Sequence, residues 1–376
     1  MANPLQEYPV SLLDYELPEE LIAQQPLDER DASRLLVVNR TEKSVEHHEF
    51  RELPELLPAR SFLVLNDSRV MRSRYFCTRV DTGGRVEVLL TRVYEDGTAE
   101  CLTEARGHIR QGERLAFRSG VEFEVLRPTG RDEPGCVRIL QNGETADALR
   151  LREILEAGAL PLPPYLKEEL NDEERYQTSF AENTGSSAAP TAGLHFTQRT
   201  FNELMRRGID HARITLHVGT ATFLPIRGDD AATHHLAPEP YSIPLPELMR
   251  ILAAKLEGHL IAAVGTTSIR VLERVFAGWR DACGALGVSS AEELEHVSDE
   301  VLAERFASTG ETGLYVLPGY KFEFVDALLT NFHLPRTTLL ALTYAFGGRE
   351  LVRRAYDEAI SRRYRFYSLG DAMLVV

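Results

Sequence analysis

Short apolar runs with polar ends recur along this chain. Arg34-Leu-Leu-Val-Val-Asn39 and Ser61-Phe-Leu-Val-Leu-Asn66 have no polar residue in their interiors, the pattern of a buried strand. Between about 75 and 140 the texture changes. Arg85-Val-Glu-Val-Leu-Leu-Thr-Arg-Val93 and Val121-Glu-Phe-Glu-Val125 alternate apolar and polar positions, and Gly83-Gly84, Asp96-Gly97, Ser119-Gly120 and Asn142-Gly143 place turns at short intervals. Closely spaced strands with no long helix among them predict a small antiparallel barrel or sandwich. A helical pattern at 147–157 follows and ends at Pro161, Pro163 and Pro164.

From 198 onward helical periodicity and apolar strands alternate. Helices are predicted at about 198–207, 246–257, 267–277, 336–346 and 349–363, and strands at about 211–217, 259–264, 313–317 and 371–376. Residues 280–312 are charged and glycine-containing, and read as a surface excursion with one short helix near 290–296. The fold class expected is α/β: a discontinuous α/β main domain with a largely parallel sheet over 1–74 and 147–376, and a small antiparallel β-barrel inserted over 75–146.

Composition narrows the class. At roughly 150 residues per domain, 376 residues make two or three domains. No apolar run reaches the roughly 18 residues needed to cross a bilayer, and Met1–Val10 lacks the basic start and apolar stretch of a secretory signal, so a cytoplasmic protein with no membrane partner is expected. Cys77, Cys101, Cys136 and Cys283 are scattered without a paired spacing, which argues against a disulfide framework or a cysteine zinc site; no metal is expected. Forty-two basic residues against 57 acidic ones give −15, so indiscriminate nucleic-acid binding is disfavoured. Two arginine-rich segments still offer local basic surface: Arg69, Arg72, Arg74 and Arg79, and Arg349, Arg353, Arg354, Arg362, Arg363 and Arg365.

Five polar knots carry the candidate chemistry. They are Ala188-Ala-Pro-Thr-Ala-Gly-Leu-His-Phe196, Leu216-His-Val-Gly219, Val264-Gly-Thr-Thr-Ser-Ile-Arg270, Thr330-Asn-Phe-His-Leu-Pro335 and Tyr364-Arg-Phe-Tyr-Ser-Leu-Gly-Asp-Ala-Met373. Several close an apolar strand at a Gly or Pro turn, where α/β proteins gather ligand-binding groups. His195, His217 and His333 stand isolated in these settings, and imidazoles exchange protons near neutral pH. Arg270 after Gly265-Thr266-Thr267-Ser268 suits a carboxylate or other anion, although Thr267 or Ser268 also suits an ordinary helix cap. The chain has no GxGxxG after a strand, no GxxxxGK[ST], no HExxH and no GxSxG, so the common nucleotide, zinc-protease and serine-hydrolase readings lose support.

The five knots, with Asn66-Asp-Ser-Arg-Val70, Gly83-Gly-Arg-Val-Glu-Val-Leu-Leu90, Leu160-Pro-Leu-Pro-Pro-Tyr165 and Glu174-Arg-Tyr-Gln-Thr178, resemble the S-adenosylmethionine:tRNA ribosyltransferase-isomerases of queuosine biosynthesis. The resemblance implies transfer and isomerisation of the ribosyl group of S-adenosylmethionine onto 7-aminomethyl-7-deazaguanine at the tRNA wobble position. Epoxyqueuosine-tRNA is formed, and adenine and methionine leave. It implies S-adenosylmethionine as co-substrate with no permanently bound cofactor, a tRNA anticodon loop as partner, and a monomer. The catalytic residues implied are His195, His217, His333 and Asn331. The substrate-binding residues implied are Asn66, Arg69, Tyr176, Gln177, Thr191, Phe196, Thr266, Thr267, Arg270, Glu239 and Asp371, with Tyr176, Phe196 and Phe332 placed to stack on adenine or face the sulfonium.

The chain departs from the family's pattern at Leu236-Ala-Pro-Glu239, where members usually carry a histidine at the position of Ala237. His234 and His235 lie near enough to take its place, with Glu239 orienting the imidazole. Two other functions stay open on sequence grounds: a non-catalytic tRNA-binding paralogue, and an S-adenosylmethionine-dependent enzyme with a small 7-deazaguanine acceptor. The three retained histidines favour the enzyme, and the acidic net charge favours the small acceptor.

Overall fold

A computed structural model describes residues 7–130, 133–219 and 225–376. The chain forms two compact units, one drawn from Met1–Arg69, Pro164–Asn183 and Ala189–Val376, the other from Val70–Pro163 and Thr184–Ala188. It opens with β1 (Arg34–Asn39), β2 (Ser44–Glu49), α1 (Leu53–Leu56), β3 (Ser61–Asn66) and β4 (Ser68–Val70). The strands β5 (Arg74–Arg79), β6 (Arg85–Val93), β7 (Thr98–Ala105), β8 (Arg114–Arg118), β9 (Val121–Arg127), β10 (Gly135–Gln141) and β11 (Glu144–Thr145) follow, then α2 (Ala148–Glu156). Next come β12 (Asn183–Ser186), α3 (Gln198–Arg206), β13 (Asp210–Leu216), β14 (Glu239–Ser242), α4 (Leu245–Leu256), β15 (Leu260–Val264) and α5 (Thr266–Val275). The chain closes through α6 (Trp279–Leu286), α7 (Ala291–Leu294), α8 (Asp299–Arg305), β16 (Thr309–Thr312), β17 (Ala327–Asn331), α9 (Thr338–Gly347), α10 (Arg349–Ser361) and β18 (Ala372–Val375).

The smaller unit is a closed barrel. Its strands run β10-β7-β6-β5-β8-β9 and back to β10, every neighbouring pair antiparallel. Period-two alternation drives the closure: Val86, Val88 and Leu90 of β6 point inward with Val121, Phe123 and Val125 of β9. Helix α2 belongs to this unit rather than to the larger one expected from its sequence pattern, because Leu151 and Ile154 are buried in the barrel core.

The larger unit is built on a nine-stranded sheet in the order β16-β14-β13-β3-β15-β17-β18-β1-β2. Strands β13, β3, β15 and β17 are parallel, β18 turns antiparallel to β17, and β1 runs parallel to β18. The sheet is therefore mixed rather than largely parallel. Its central strands β3, β15, β17 and β18 are mostly apolar and almost wholly buried because both faces are covered. Leu35, Leu63, Leu65, Ala262, Val264, Leu329 and Leu374 form one core with α3 and the Phe196 ring, while Leu36, Val64, Ala263, Leu328 and Met373 are equally buried. No strand forms at 313–317, and the excursion at 280–312 folds mostly into α6, α7 and α8. Among the described residues no helix is long and apolar enough to cross a membrane.

Candidate active site

Strand direction brings the polar knots to one edge of the nine-stranded sheet. β13, β3, β15 and β17 end there at Leu216, Asn66, Val264 and Asn331. The antiparallel turn of β18 puts its first residue, Ala372, opposite Asn331, and Leu35 of β1 pairs with Ala372. Asp371 and Ser33 therefore stand at the same edge as His217, Thr266 and Asn331. Five strand steps separate β13 from β1, roughly 24 Å at about 4.8 Å each. The groups thus line an edge, with His217 near one end and Ser33 at the other.

His195 is held at the centre of a buried network. It ends the 3₁₀ turn Thr191–His195, is 4% exposed, and stacks on Phe50 at 5.0 Å between ring centroids. The Asn331 Nδ2 donates to the Tyr367 carbonyl at 3.1 Å and meets His195 Nε2 at 3.2 Å. An amide nitrogen only donates, so Nε2 is the unprotonated ring nitrogen and Nδ1 carries the proton, donated to Ser33 Oγ at 2.8 Å. Burial pushes this imidazole down to about 4 against a favourable contact with the Arg30 carbonyl. His195 is therefore neutral at physiological pH, with its Nε2 lone pair turned to the Asn331 amide.

Gly193 sets the tightness of that turn. A Cβ there would lie 2.8 Å from both Phe180 Cζ and Thr178 Cγ2. We expect Gly193→Ala to cost about 1–3 kcal/mol, the range for overpacking a filled core, read as a lower urea midpoint with an unchanged denaturant slope.

Like His195, the other two histidines depart from the expectation of proton carriers poised near neutrality. Burial alone pushes His333 down to about 3, and its ring and backbone are engaged with Thr330 Oγ1 at 2.8 Å, the Tyr356 hydroxyl at 3.0 Å and the Tyr15 hydroxyl. His217 is lowered by burial against the opposing pull of Asp67, and its Nδ1 is buried without a partner among the described residues. Three strand positions separate it from Asn331, so it does not join the His195 network.

Several expected ligand contacts are already made within the protein. Arg270 is 5% exposed and spends its guanidinium on Glu239, the Leu314 carbonyl at 2.9 Å and the Thr312 carbonyl at 3.3 Å. It is a buried clamp rather than a free carboxylate receptor. Glu239 accepts from the Gly219 amide at 2.6 Å as well, so it holds the His217–Gly219 segment and not an imidazole of the His234-His235 pair. Asn66 ties the ends of β3 and β13 through the Leu216 amide and carbonyl, both at 3.0 Å. Asp371 accepts from the Arg34 and Arg365 amides at 2.9 and 2.8 Å and so ties the 365–371 loop to the start of β1. Arg69 pairs with Glu174. Phe196 packs against Phe50, Phe180 and Phe201, and Phe332 against Tyr356, Tyr364 and Phe366; both rings belong to the core and leave no face for a ligand.

What remains for a ligand is a set of buried polar atoms with no partner among the described residues: Thr267 Oγ1, Asn331 Oδ1, the Tyr367 hydroxyl and Thr178 Oγ1, besides His217 Nδ1. Buried polar groups are ordinarily satisfied, so their gathering on one edge marks a binding surface. Thr266 and Thr267 open α5 after Gly265, whose φ of +90° allows the sharp strand-to-helix turn. Thr191 is half-buried at the start of the His195 turn. Tyr176 and Gln177 are buried beside it, and burial pushes the Tyr176, Tyr165 and Tyr367 phenols up. Ser33, Thr178 and Tyr367 were not legible as site residues. Tyr367 has φ +74°, a costly conformation for an aromatic residue, and it is held by the Phe332 carbonyl at 3.1 Å and the Asn331 amide.

A family model described as "Queuosine biosynthesis protein" matches residues 10–375. The chain belongs to this family. It is 43% identical over 368 residues to the S-adenosylmethionine:tRNA ribosyltransferase-isomerase of Symbiobacterium thermophilum, covering 98% of this chain and 99% of the relative. It is 41% identical to the protein of the same name from Thermotoga maritima, with the same coverage of both chains. The crystal structure of the S-adenosylmethionine tRNA ribosyltransferase of Thermotoga maritima is similar over 97% of this chain and 100% of that one, with TM-score 0.51 and 32% identity. The queuosine biosynthesis family thus accounts for both units of the chain, the barrel included.

Proposed function

We propose that this protein is an S-adenosylmethionine:tRNA ribosyltransferase-isomerase. It moves the ribosyl group of S-adenosylmethionine onto 7-aminomethyl-7-deazaguanine at the wobble position of tRNA, with loss of adenine and methionine. Likeness across 98% of the chain to proteins of that name carries the reading. The single sheet edge that collects all five knots supports its placement there.

His195 fits the first proton transfer. A sulfonium acidifies the adjacent ribose C5′ protons, and a neutral imidazole with its Nε2 lone pair free of a proton is a base for one of them. Substrate would take the place of the Asn331 amide at that lone pair. An imidazolium formed in a site that holds its pKa near 4 gives the proton up readily, and the departing adenine nitrogen needs one. One histidine thus serves as base and then acid with the proton balanced. The site's burial keeps water from the opened sugar. We assign the donor's carboxylate to Thr266 and Thr267 at the α5 N-terminus rather than to Arg270, whose guanidinium is engaged by Glu239.

The two arginine-rich segments part company as phosphate contacts. Arg69, Arg74 and Arg79 are paired with Glu174, Glu87 and Glu113. In α10, Arg349 and Arg354 bond to backbone carbonyls and have no carboxylate at ion-pair distance among the described residues, whereas Arg365, beyond the helix, is half-buried beside Asp371. Incubation with S-adenosylmethionine and tRNA carrying the aminomethyl base should release adenine and add mass to the tRNA. Binding should weaken with salt, with a log–log slope of about −0.7 to −0.9 per phosphate contacted. Adenine release independent of tRNA, or tRNA affinity flat between low and physiological salt, would count for the small acceptor instead.

A further inference from the structure

The barrel carries an exposed aromatic that its core does not use. On β5 the side chains alternate, Tyr75 and Cys77 inward and Phe76 and Thr78 outward. Phe76 is 64% exposed and Val80, just past the strand, 51%. Most of the ring stays in water in the isolated chain, so the fold gains little from it.

Its neighbours supply positive charge. Thr78 stands opposite Arg85 of β6 and Ala116 of β8, and the Val80 amide donates to the Arg114 carbonyl. Arg118 closes β8 and is exposed, as is Arg85. Arg74 on the same strand pairs with Glu87, which lies opposite Phe76, and Arg114 meets Glu122 at 3.4 Å. Arg85 and Arg118 have no carboxylate partner within ion-pair distance among the described residues. Glu104 of β7 stands opposite Glu87 on the same outer face, so around one exposed ring there are four arginines against three glutamates, in a chain whose net charge is −15.

We propose that the outer face of β5, with Phe76 as its centre and Arg85 and Arg118 at its sides, is a contact surface for unpaired nucleotides of the tRNA substrate. An exposed ring offers a stacking platform that any base can use, and flanking guanidiniums take the backbone phosphates or stack on neighbouring bases. A second copy of this chain would need an apolar, charge-poor patch; here the ring is bordered by charge on both sides. The proposal rests on the reading of tRNA as acceptor.

Phe76→Ala and Phe76→Trp decide it, measured by tRNA fluorescence anisotropy and by tRNA-dependent adenine release. The Phe76→Ala variant should bind tRNA about 5- to 150-fold more weakly, the range for loss of one stacked base. Its KM for tRNA should rise while its KM for S-adenosylmethionine stays put, and Phe76→Trp should retain wild-type affinity. Arg85→Ala combined with Arg118→Ala should flatten the salt slope by up to about 2. A side chain this exposed is not needed for folding, and an unchanged circular dichroism melt confirms that. Wild-type tRNA affinity in Phe76→Ala, with the wild-type enzyme active on tRNA, overturns the barrel surface alone. Loss of a dimer in Phe76→Ala with tRNA affinity unmoved assigns the patch to a second copy and overturns it too. A wild-type protein that neither binds tRNA nor releases adenine with it overturns the functional reading itself.

Discussion

Arg270→Ala is expected to cost about 3–5 kcal/mol of folding stability, the range for removing one partner of a buried ion pair. Whole proteins are stable by only about 5–15 kcal/mol, so this one change brings the chain close to unfolding. The loss comes from three groups at once. Glu239 keeps a charge at 7% exposure with no cation beside it, and the Thr312 and Leu314 carbonyls lose their donor. Arg270→Met with Glu239→Gln should recover much of the loss, because the neutral amide still accepts from the Gly219 N–H and no charge is stranded. Urea denaturation of the two variants makes the comparison. A carboxylate-binding role predicts the opposite pattern: an unchanged midpoint in Arg270→Ala, with weakened S-adenosylmethionine binding by calorimetry.

Arg270 also shows where the sequence stops being informative. A guanidinium after a Gly-Thr-Thr-Ser turn suits an anion, and nothing in that local pattern reveals that Glu239, 31 residues upstream on β14, reaches it across the sheet edge. The same guanidinium takes the Thr312 and Leu314 carbonyls, which leaves the apolar segment at 313–317 without a ladder to join. β17, by contrast, has only Ala327, Leu328 and Leu329 as an apolar run, too short to read as a central strand, yet all five of its residues are buried between β15 and β18. The longer runs at β1 and β3 and the alternation of the barrel strands were legible because burial on two faces or on one leaves its own periodicity. The polar knots were legible as a group because several close an apolar strand at a turn. Their division of labour was not. Ser33 reaches His195 across 162 positions of sequence, and the left-handed backbone of Tyr367 has no signature in an aromatic residue.

His195→Ala is expected to cut turnover by about 10²–10⁴-fold, the contribution of a positioned general base or acid. The pH profile distinguishes this from a structural role. With its imidazole held down to about 4, His195 stays a competent base from neutral pH down to about pH 5, and kcat/KM should fall only as pH approaches 4 and the ring is protonated. An unperturbed histidine would place that limb near 6.5. Folding stability moves in the same direction and must be separated from it. The unfolded chain takes up a proton at His195 near 6.5 and the folded one only near 4, so stability is full above pH 6.5 and declines as pH falls toward 4, by roughly 3 kcal/mol for this group. Circular dichroism at each pH therefore accompanies the rates. Ser33→Ala isolates the hydrogen bond that fixes the tautomer. Ser33 Oγ accepts from Nδ1–H at 2.8 Å and helps hold the proton on that nitrogen, leaving Nε2 free. Its loss should slow turnover less than His195→Ala, move the acid limb to still lower pH because the imidazolium loses an acceptor, and leave the KM for S-adenosylmethionine unchanged. A Ser33→Ala enzyme with the wild-type rate and limb would remove the serine from the mechanism. A His195→Ala enzyme that folds and releases adenine at the wild-type rate would remove His195 as the base.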